Sequence, residues 1–191
     1  MNMKKNNNTF VISDTWFNRP IGDKASMRVD DYNDEIITKW NKTVGEADDV
    51  YVLGGFGISD LYSIAVKLNG NIHFLNNFYT DDEIHFRDVF KKNVENSIDK
   101  NLPDKLIFED NQIVSLKDED AILSYFPLSY WYGKDTGTMC FHGLNDESKL
   151  KENNVSCCAL KTDFKPLNVA EVKEKISFFS EVISNNEALN S

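Results

Sequence analysis

The residues of this chain that could carry acid–base or metal chemistry are few and scattered. Of the three histidines, His73 lies inside the apolar run NIHFL and His85 in an acidic, helix-like stretch. Those surroundings predict ordinary core or surface roles for both. His142, just before Gly143, could donate a proton, but a single histidine does not make a mechanism. The sequence therefore predicts no catalytic residue among the histidines.

The candidate nucleophiles lack partners in the sequence. Ser124, Cys140 and the vicinal pair Cys157 and Cys158 have no visible pairing with a histidine and an acid, so we do not expect nucleophilic catalysis. The odd cysteine count fits neither a zinc site nor a secreted disulfide framework. Neighbouring residues of a strand point to opposite faces, so a buried structural role fits the vicinal pair. A reducing cytoplasmic location fits best.

Alternating strand and helix patterns predict an α/β sandwich with helices on the outside. The predicted strands are TFVIS, VYVLGG, NIHFL, KLIFED, QIVSL, AILSYFP, TMCFHG and SCCALK. The predicted helices span Asp31–Asn41, Leu61–Leu68, Glu83–Lys100 and Val169–Ile183. In the first helix the spacing of Tyr32, Ile36 and Trp40 predicts one buried face. In the third, the apolar positions are Ile84, Val89, Phe90, Val94 and Ile98.

Length and charge limit the classes of function. A chain of 191 residues is expected to form a single domain over 9–183, between a disordered tail at 1–8 and a polar tail at 184–191. Its formal charge of −10 disfavours binding to a nucleic-acid backbone or an anionic membrane. No apolar run reaches the roughly 20 residues of a membrane-spanning helix, and no export signal is visible.

Several framework segments resemble one known family. The segments FVISDTWF, WNKTVGEADDVYVLGGF, LNGNIHFLNN, AILSYFPL, FHGLND and FKPLNVAEV occur in order between about Thr9 and Ile176. In these segments the chain resembles the small calcineurin-like metallophosphoesterases of bacteria and phages. The resemblance implies two packed mixed β-sheets flanked by helices, with a pair of metal ions held at the strand ends. It also implies that the strands ending at Asp14, Gly54 and Leu75 are neighbours.

The first half of the implied metal site is degenerate. The resemblance implies an Asp-x-His motif after the first strand, where this chain keeps Asp14 but has Trp16 in place of the histidine. It implies a bridging aspartate after the second strand, where this chain has Gly55. In the Asn-His motif that follows the third strand, Asn77 remains and the histidine is lost. A two-metal centre needs the bridging carboxylate, so this chain should not form one.

The second half of the implied site is equally changed. Tyr125 stands in place of a histidine, and in the closing Gly-His-x-His motif Gly143 is kept while Leu144 and Asp146 replace the histidines. Asp14 and Asp146 would remain as two hard oxygen ligands, which could hold one weakly bound Mg²⁺ or Ca²⁺ ion. We expect no stoichiometric transition metal and no other cofactor.

Aromatic and apolar residues are implied to surround this former metal cleft: Trp16, Phe78, Tyr79, Tyr125 and Leu144. Three interpretations stay open. The large side chains could simply fill the emptied cleft, they could stack on a planar, nucleotide-like ligand, or they could form a surface for a protein partner.

The sequence thus suggests a pseudoenzyme: a phosphoesterase-like domain retained as a binding or structural module. The resemblance also implies a phage origin and a location in the host cytoplasm or the virion. The alternative is a residual phosphoesterase acting through one metal ion on a phosphodiester or phosphomonoester. The residues expected to line the vestigial cleft are Asp14, Trp16, Asn77, Tyr125, His142 and Asp146. We also expect Gly55→Asp to be structurally tolerated, with a modest loss of stability through repulsion of like charges.

Overall fold

A computed structural model describes residues 7–77, 81–99, 101–145 and 153–177 of the chain. The predictions for Phe78, Tyr79 and Asp146, for the tail 184–191 and for most of the tail 1–8 concern residues outside these ranges.

The first sheet has five strands and includes the three strands that were predicted to be neighbours. Its order is β4-β3-β2-β1-β9, with β1 to β4 parallel and β9 antiparallel at one edge. The strands are β1 (Thr9–Ile12), β2 (Asp49–Val52), β3 (Asn71–Phe74), β4 (Leu106–Phe108) and β9 (Leu167–Asn168). The predicted adjacency of the first three strands is therefore confirmed.

The second sheet has four strands in the order β5-β6-β7-β8. They are β5 (Ile113–Leu116), β6 (Ala121–Ser124), β7 (Met139–His142) and β8 (Asn154–Ser156). β5 runs antiparallel to β6, whereas β6, β7 and β8 are parallel, so this sheet is also mixed.

In the described part of the chain, the sheets are accompanied by the α-helices α1 (Val29–Thr43), α2 (Leu61–Ala65), α3 (Asp81–Glu95) and α4 (Leu102–Lys105). Residues 169–177 are also helical. Within the described ranges, none of the helices combines the length and the apolar composition that crossing a bilayer requires.

Helix α1 illustrates how the sequence builds the outer layer. Tyr32, Ile36 and Trp40 are fully buried, as their spacing predicts, and they pack in one apolar cluster with residues of β1, β2 and β3. Asp30 and Asp31 lie in the first turn, where a negative charge favours the helix dipole. The phenol of Tyr32 donates a 2.7 Å hydrogen bond to the carbonyl of Thr15, which ties the helix to the loop after β1.

A second apolar cluster lies between the two sheets and joins them. Val11, Leu53 and Leu75 from the first sheet pack with Leu123 and Phe141 from the second. Side chains alternate across a strand, so the opposite face of the first sheet is left for the helices. The chain therefore has the predicted α/β fold with two packed mixed sheets.

The third helix differs from its prediction. It ends at Glu95, and Ile98 beyond it is 96% exposed. Ile84 and Val89 are also exposed, so Phe90 and Val94 alone of the five predicted positions enter the core. A helix that packs against a sheet edge needs only a narrow apolar stripe, and apolar spacing alone did not reveal its width.

The vicinal cysteines also lie differently from the prediction. β8 ends at Ser156, so Cys157 and Cys158 follow the strand instead of forming it. Both are buried, and Cys158 forms an isolated bridge with Ser13 beyond the end of β1. The predicted buried role holds although the predicted strand boundary was wrong.

A polar cluster on β2 and β3 makes the stability of the fold sensitive to alkaline pH. The Tyr51 ring stacks on His73 with 4.4 Å between ring centroids, and Nδ1 of His73 lies 2.8 Å from Oε1 of Glu109. Burial, followed by the negative charges of Glu109, Asp49 and Glu119, raises the pKa of Tyr51 from 10 to about 12.

We expect wild-type protein to lose stability relative to Tyr51→Phe as pH rises from 10 towards 12. The folded state holds the phenolic proton of Tyr51 more tightly than the unfolded state does. The contribution of the protonated phenol to the free energy of unfolding is therefore complete below the unfolded pKa and is lost as pH rises through the folded pKa. Urea unfolding of both proteins at about pH 9 and about pH 11.5 measures the difference. An unchanged difference between the two pH values would contradict the assignment.

Candidate functional site

The loops that follow β1 and β2 meet at the carboxyl edge of the first sheet. The amide of Asp14 donates to the carbonyl of Gly54 at 3.0 Å, and the amide of Trp16 donates to the carbonyl of Gly55 at 2.8 Å. Parallel strands in register bring their carboxyl ends to one edge, which is where open α/β sheets bind ligands. The predicted convergence at this edge is confirmed.

The loop after β1 has an unusual and well-fixed backbone. Asp14, Trp16 and Asn18 have φ angles of 56°, 46° and 66°, which lie in the left-handed region. Between them, the buried Thr15 hydroxyl donates to the carbonyl of Phe56 at 2.9 Å. A left-handed backbone angle at a non-glycine residue raises the free energy of the folded state, so it persists only where the surrounding contacts hold it. The position of the Asp14 carboxylate is thus set by the loop, and the residue is only 7% exposed.

Gly55 lies against Asp14 so closely that no side chain fits. Its φ of +55° favours glycine, and a Cβ atom there would lie 2.9 Å from the Cα of Asp14 and would overlap the Oδ1 of the same residue. The carboxylate could rotate away, but the backbone atom could not. The expectation that an aspartate is tolerated at this position is therefore wrong, because both the backbone angle and the space oppose it.

Tyr125, which follows β6, occupies the space between the strand ends. A Cβ atom at Gly54 or at Gly143 would lie 2.6 Å from Cδ2 of Tyr125, so the ring packs directly on both glycine backbones. The phenol donates to Oδ1 of Asp14 over a long 3.4 Å. Close approach of a ring to backbone is possible only where no Cβ intervenes. Tyr125 therefore joins the ends of the two sheets and lies directly beside Asp14.

Trp16 and Asn77, also predicted for the cleft, have structural contacts. The Trp16 ring lies under the guanidinium of Arg19, 5.3 Å from the ring centroid. The side-chain amide of Asn77 is buried and donates to the carbonyl of Leu53 at 2.8 Å, which secures the end of β3 to the end of β2. These contacts orient both side chains within the protein.

His142 lies in β7 and is 2% exposed. Its backbone pairs with Ser124 on one side and Ser156 on the other, and its carbonyl accepts the amide hydrogen of Cys157 at 2.7 Å. The residue that follows it, Gly143, packs directly against the ring of Tyr125. The structure thus groups Asp14 with Tyr125, and Asp146 lies outside the described residues.

The buried cysteines have little nucleophilic character. Burial raises the pKa of the Cys140, Cys157 and Cys158 thiols, and most strongly that of Cys157. The thiolate is the reactive form, so a raised pKa makes these thiols inert at neutral pH.

The donor set of the cleft does not fit a two-metal centre. In the part of the chain that the structure describes, no three His, Cys, Asp or Glu side chains come together as metal ligands would. In the described part of the cleft, Asp14 supplies an acidic side chain. Its Oδ1 faces the phenol of Tyr125 and the backbone of Gly55. A bridging carboxylate has no room at position 55, so no step of a two-metal reaction can be built on these residues.

One feature of the carboxyl edge was not predicted. A cavity of about 270 Å³ lies beyond β3 and β4, where Arg87 and Lys91 of α3 face the end of β4. Nη1 of Arg87 donates to the side-chain carbonyl of Asn76 at 2.8 Å, and Nζ of Lys91 lies 6.0 Å from the centroid of the Phe108 ring. The four-residue spacing of Arg87 and Lys91 on one helix face was the available sequence signal.

Comparison with solved structures finds the same fold in AQ665, a protein of unknown function from Aquifex aeolicus. The two are 19% identical, the match covers 88% of this chain and 99% of that chain, and the TM-score is 0.59. No protein-family model and no curated protein matches the sequence. At this identity the likeness establishes the fold alone: the chain is an α/β protein with two packed mixed sheets, like AQ665.

Proposed function

We propose that this protein is a non-catalytic, phosphoesterase-like binding protein whose strand-end cleft has been closed by its own side chains. The observation that carries the proposal is the packing of Tyr125 on Gly54 and Gly143, with its phenol directed to Asp14. Interiors are close-packed, so a ring that fills a former polar cleft replaces lost ligands with van der Waals contacts. This supports cleft filling over a stacking platform for a planar ligand.

The chemistry that remains is insufficient for phosphoester hydrolysis by two metals. That reaction needs two ions about 3.5–4 Å apart, held by a shared carboxylate, so that one activates water and the other stabilises the leaving oxygen. Position 55 is a glycine with a positive φ and no room for a side chain. Asp14 accepts the phenolic hydrogen of Tyr125, and among the described residues it is not part of a cluster of three potential metal ligands.

A protein partner is the better supported ligand class. Phe126, Tyr130 and Tyr132, in the loop after β6, are 49%, 74% and 92% exposed. Aromatic side chains dominate the central contacts of protein interfaces, and tyrosine loses little conformational freedom on binding. The neighbouring Trp131 is 4% exposed and fixes this loop against the second sheet, so the exposed rings are presented from a rigid base.

The alternative function is a residual phosphoesterase with a single Mg²⁺ or Ca²⁺ ion on Asp14 and Asp146. Two carboxylates and several waters can hold such an ion weakly. Thermal unfolding and phosphoester cleavage with millimolar Mg²⁺ or Ca²⁺ separate this alternative from the binding protein, because only the residual enzyme should be stabilised and activated by the ion.

We expect dialysed protein to contain less than about 0.1 equivalent of Mn²⁺, Zn²⁺, Fe or Ni, because the imidazole and bridging ligands are absent. Elemental analysis measures the content, and thermal unfolding with micromolar Mn²⁺ should show no stabilisation. Asp14→Ala and the exposed-site control Asp23→Ala should behave alike in the metal assays. Two equivalents of metal, or Mn²⁺-dependent cleavage of a bis-aryl phosphate that Asp14→Ala alone abolishes, would contradict the proposal of a non-catalytic protein.

A further inference from the structure

The cavity beyond β3 and β4 has the position and size of a site for a small molecule. Its apolar lining consists of Phe74 and Phe108, the last residues of the two strands, whose rings stack with 5.2 Å between centroids. Open α/β sheets bind ligands outside the carboxyl ends of their strands. Its volume of about 270 Å³ lies just below the usual range of roughly 300–1,000 Å³, which favours a small metabolite over a nucleotide or a peptide.

Asn76 holds the two walls of this cavity in place. Its side-chain carbonyl accepts a hydrogen bond from Nη1 of Arg87, on α3, at 2.8 Å. Its side-chain amide donates to the carbonyl of Asp110 at 3.3 Å, and its backbone amide donates to the carbonyl of Asn111 at 3.1 Å. Groups that are ordered before a ligand arrives lose little conformational freedom on binding. The walls of the cavity are therefore preorganised.

Charges of both signs line the cavity. The cations are Arg87 and Lys91, and the anions are Asp88, Glu109 and Asp110. Two of the carboxylates have partners within the protein. Oδ1 of Asp88 accepts a hydrogen bond from Nη2 of Arg87 at 2.7 Å, and Oε1 of Glu109 lies 2.8 Å from Nδ1 of His73. A ligand with one sign of charge would meet like charge on one of the walls.

Lys91 and Asp110 carry charges that the protein does not pair. Both side chains are exposed and line the same cavity, Lys91 from α3 and Asp110 from the segment after β4. Within the described ranges neither charged group takes part in an ion pair, and the Lys91 ammonium instead lies 6.0 Å from the centroid of the Phe108 ring. Glu95, one turn along α3, lines an adjoining cavity with Lys91 but does not pair with it in the described part of the chain.

A zwitterion with an apolar body matches this arrangement. Its carboxylate would meet Lys91 on one wall, and its ammonium would meet Asp110 on the other. Its apolar part would cover the half-buried ring of Phe108. A free organic anion is a poorer match, because three carboxylates line the cavity and the chain has a formal charge of −10.

We propose that the cavity beyond β3 and β4 binds a free α-amino acid with an aromatic or large aliphatic side chain. Lys91 recognises the carboxylate and Asp110 recognises the ammonium, while Asn76 is a positioning residue that orients both walls. This goes beyond the proposed function, because it does not depend on whether the cleft beside Asp14 is catalytic.

The test compares three ligands by isothermal titration calorimetry: L-phenylalanine, phenylpropanoate, which lacks the amine, and phenylethylamine, which lacks the carboxylate. L-Phenylalanine should bind at least about tenfold more tightly than either analogue, because each analogue loses one charge-assisted contact. Equal binding of phenylpropanoate would indicate an anion site, and equal binding of phenylethylamine would indicate a cation site. Either result, or no binding of L-phenylalanine, would overturn the proposal.

Two variants assign the contacts to the two walls. Lys91→Met keeps the aliphatic stem and should weaken L-phenylalanine at least about fivefold without weakening phenylethylamine. Asp110→Asn should weaken L-phenylalanine at least about fivefold without weakening phenylpropanoate.

Lys92→Met is the matched control for Lys91→Met. It removes the same charge from the next residue of α3, which is exposed and does not line the cavity, and should bind L-phenylalanine within about twofold of wild type. Lys91 and Asp110 are also exposed, so all three variants should unfold at the temperature of wild type. Unchanged affinity in Lys91→Met or in Asp110→Asn would overturn the proposal, and so would an equal loss in Lys92→Met.

Discussion

Gly55→Asp is expected to lower the free energy of unfolding by about 3–5 kcal/mol, among the largest losses for a single surface-adjacent substitution. The backbone at Gly55 has a φ of +55°, which any side chain strains, and the new Cβ would lie 2.9 Å from the Cα of Asp14. The added carboxylate would also face the Asp14 carboxylate in a poorly hydrated position. Urea denaturation at neutral pH measures the loss.

Gly137→Asp is the matched control for this variant. Gly137 has a φ of +98°, but a Cβ atom there would meet nothing within 4 Å. The control therefore carries the backbone strain and the new charge without the steric overlap, and should cost about 1–2 kcal/mol. Similar losses at the two positions would mean that the backbone around Asp14 moves readily, and the cleft would then have room for a bridging ligand.

The sequence was most informative where packing repeats regularly. Tyr32, Ile36 and Trp40 recur every four residues, and all three are fully buried on one face of α1. The apolar runs that end at Ser13 and Gly54 became adjacent parallel strands whose carboxyl ends meet. Such periods follow from backbone geometry, which depends only on neighbours in the chain. The layer architecture was therefore predictable before any contact was known.

The contacts of the cleft were not predictable in the same way. Tyr125 packs on Gly54 although the two are 71 residues apart in the sequence, and no local pattern specifies which ring meets which glycine. The sequence indicated that the ligands were replaced, and left open whether the new side chains fill the cleft or line it. The left-handed backbone of Asp14 and Gly55 decides where the carboxylate lies, and such angles follow from tertiary contacts more than from residue type.

The same long-range dependence explains the edge of the second sheet. QIVSL predicts a strand, but its place in the strand order comes from pairing with β6 alone. A strand buried between two neighbours and a strand with one free side carry the same apolar pattern over four residues. The structure is needed to see that β5 lies at the edge of the sheet and that Ser115 and Tyr132 line one cavity beside it.

Tyr125→Ala is expected to lower the free energy of unfolding by about 2–3 kcal/mol, somewhat less than a fully buried aromatic residue would lose. The ring covers the backbones of Gly54 and Gly143, and neither glycine has a side chain that could move into the space. The substitution would also bring water to Asp14, whose Oδ1 accepts the phenolic hydrogen. Denaturation in urea, with an unchanged slope, measures the loss.

Two variants show whether the loss comes from the filled cleft. Phe126→Ala removes the adjacent ring, which is 49% exposed, and should cost less than about 1 kcal/mol. Tyr125→Phe keeps the ring and loses only the long 3.4 Å hydrogen bond, so it should stay within about 0.5 kcal/mol of wild type. If Tyr125→Ala costs no more than Phe126→Ala, the ring does not close the cleft. The packing argument for a non-catalytic protein would then fail, since an open cleft beside Asp14 could still admit a ligand.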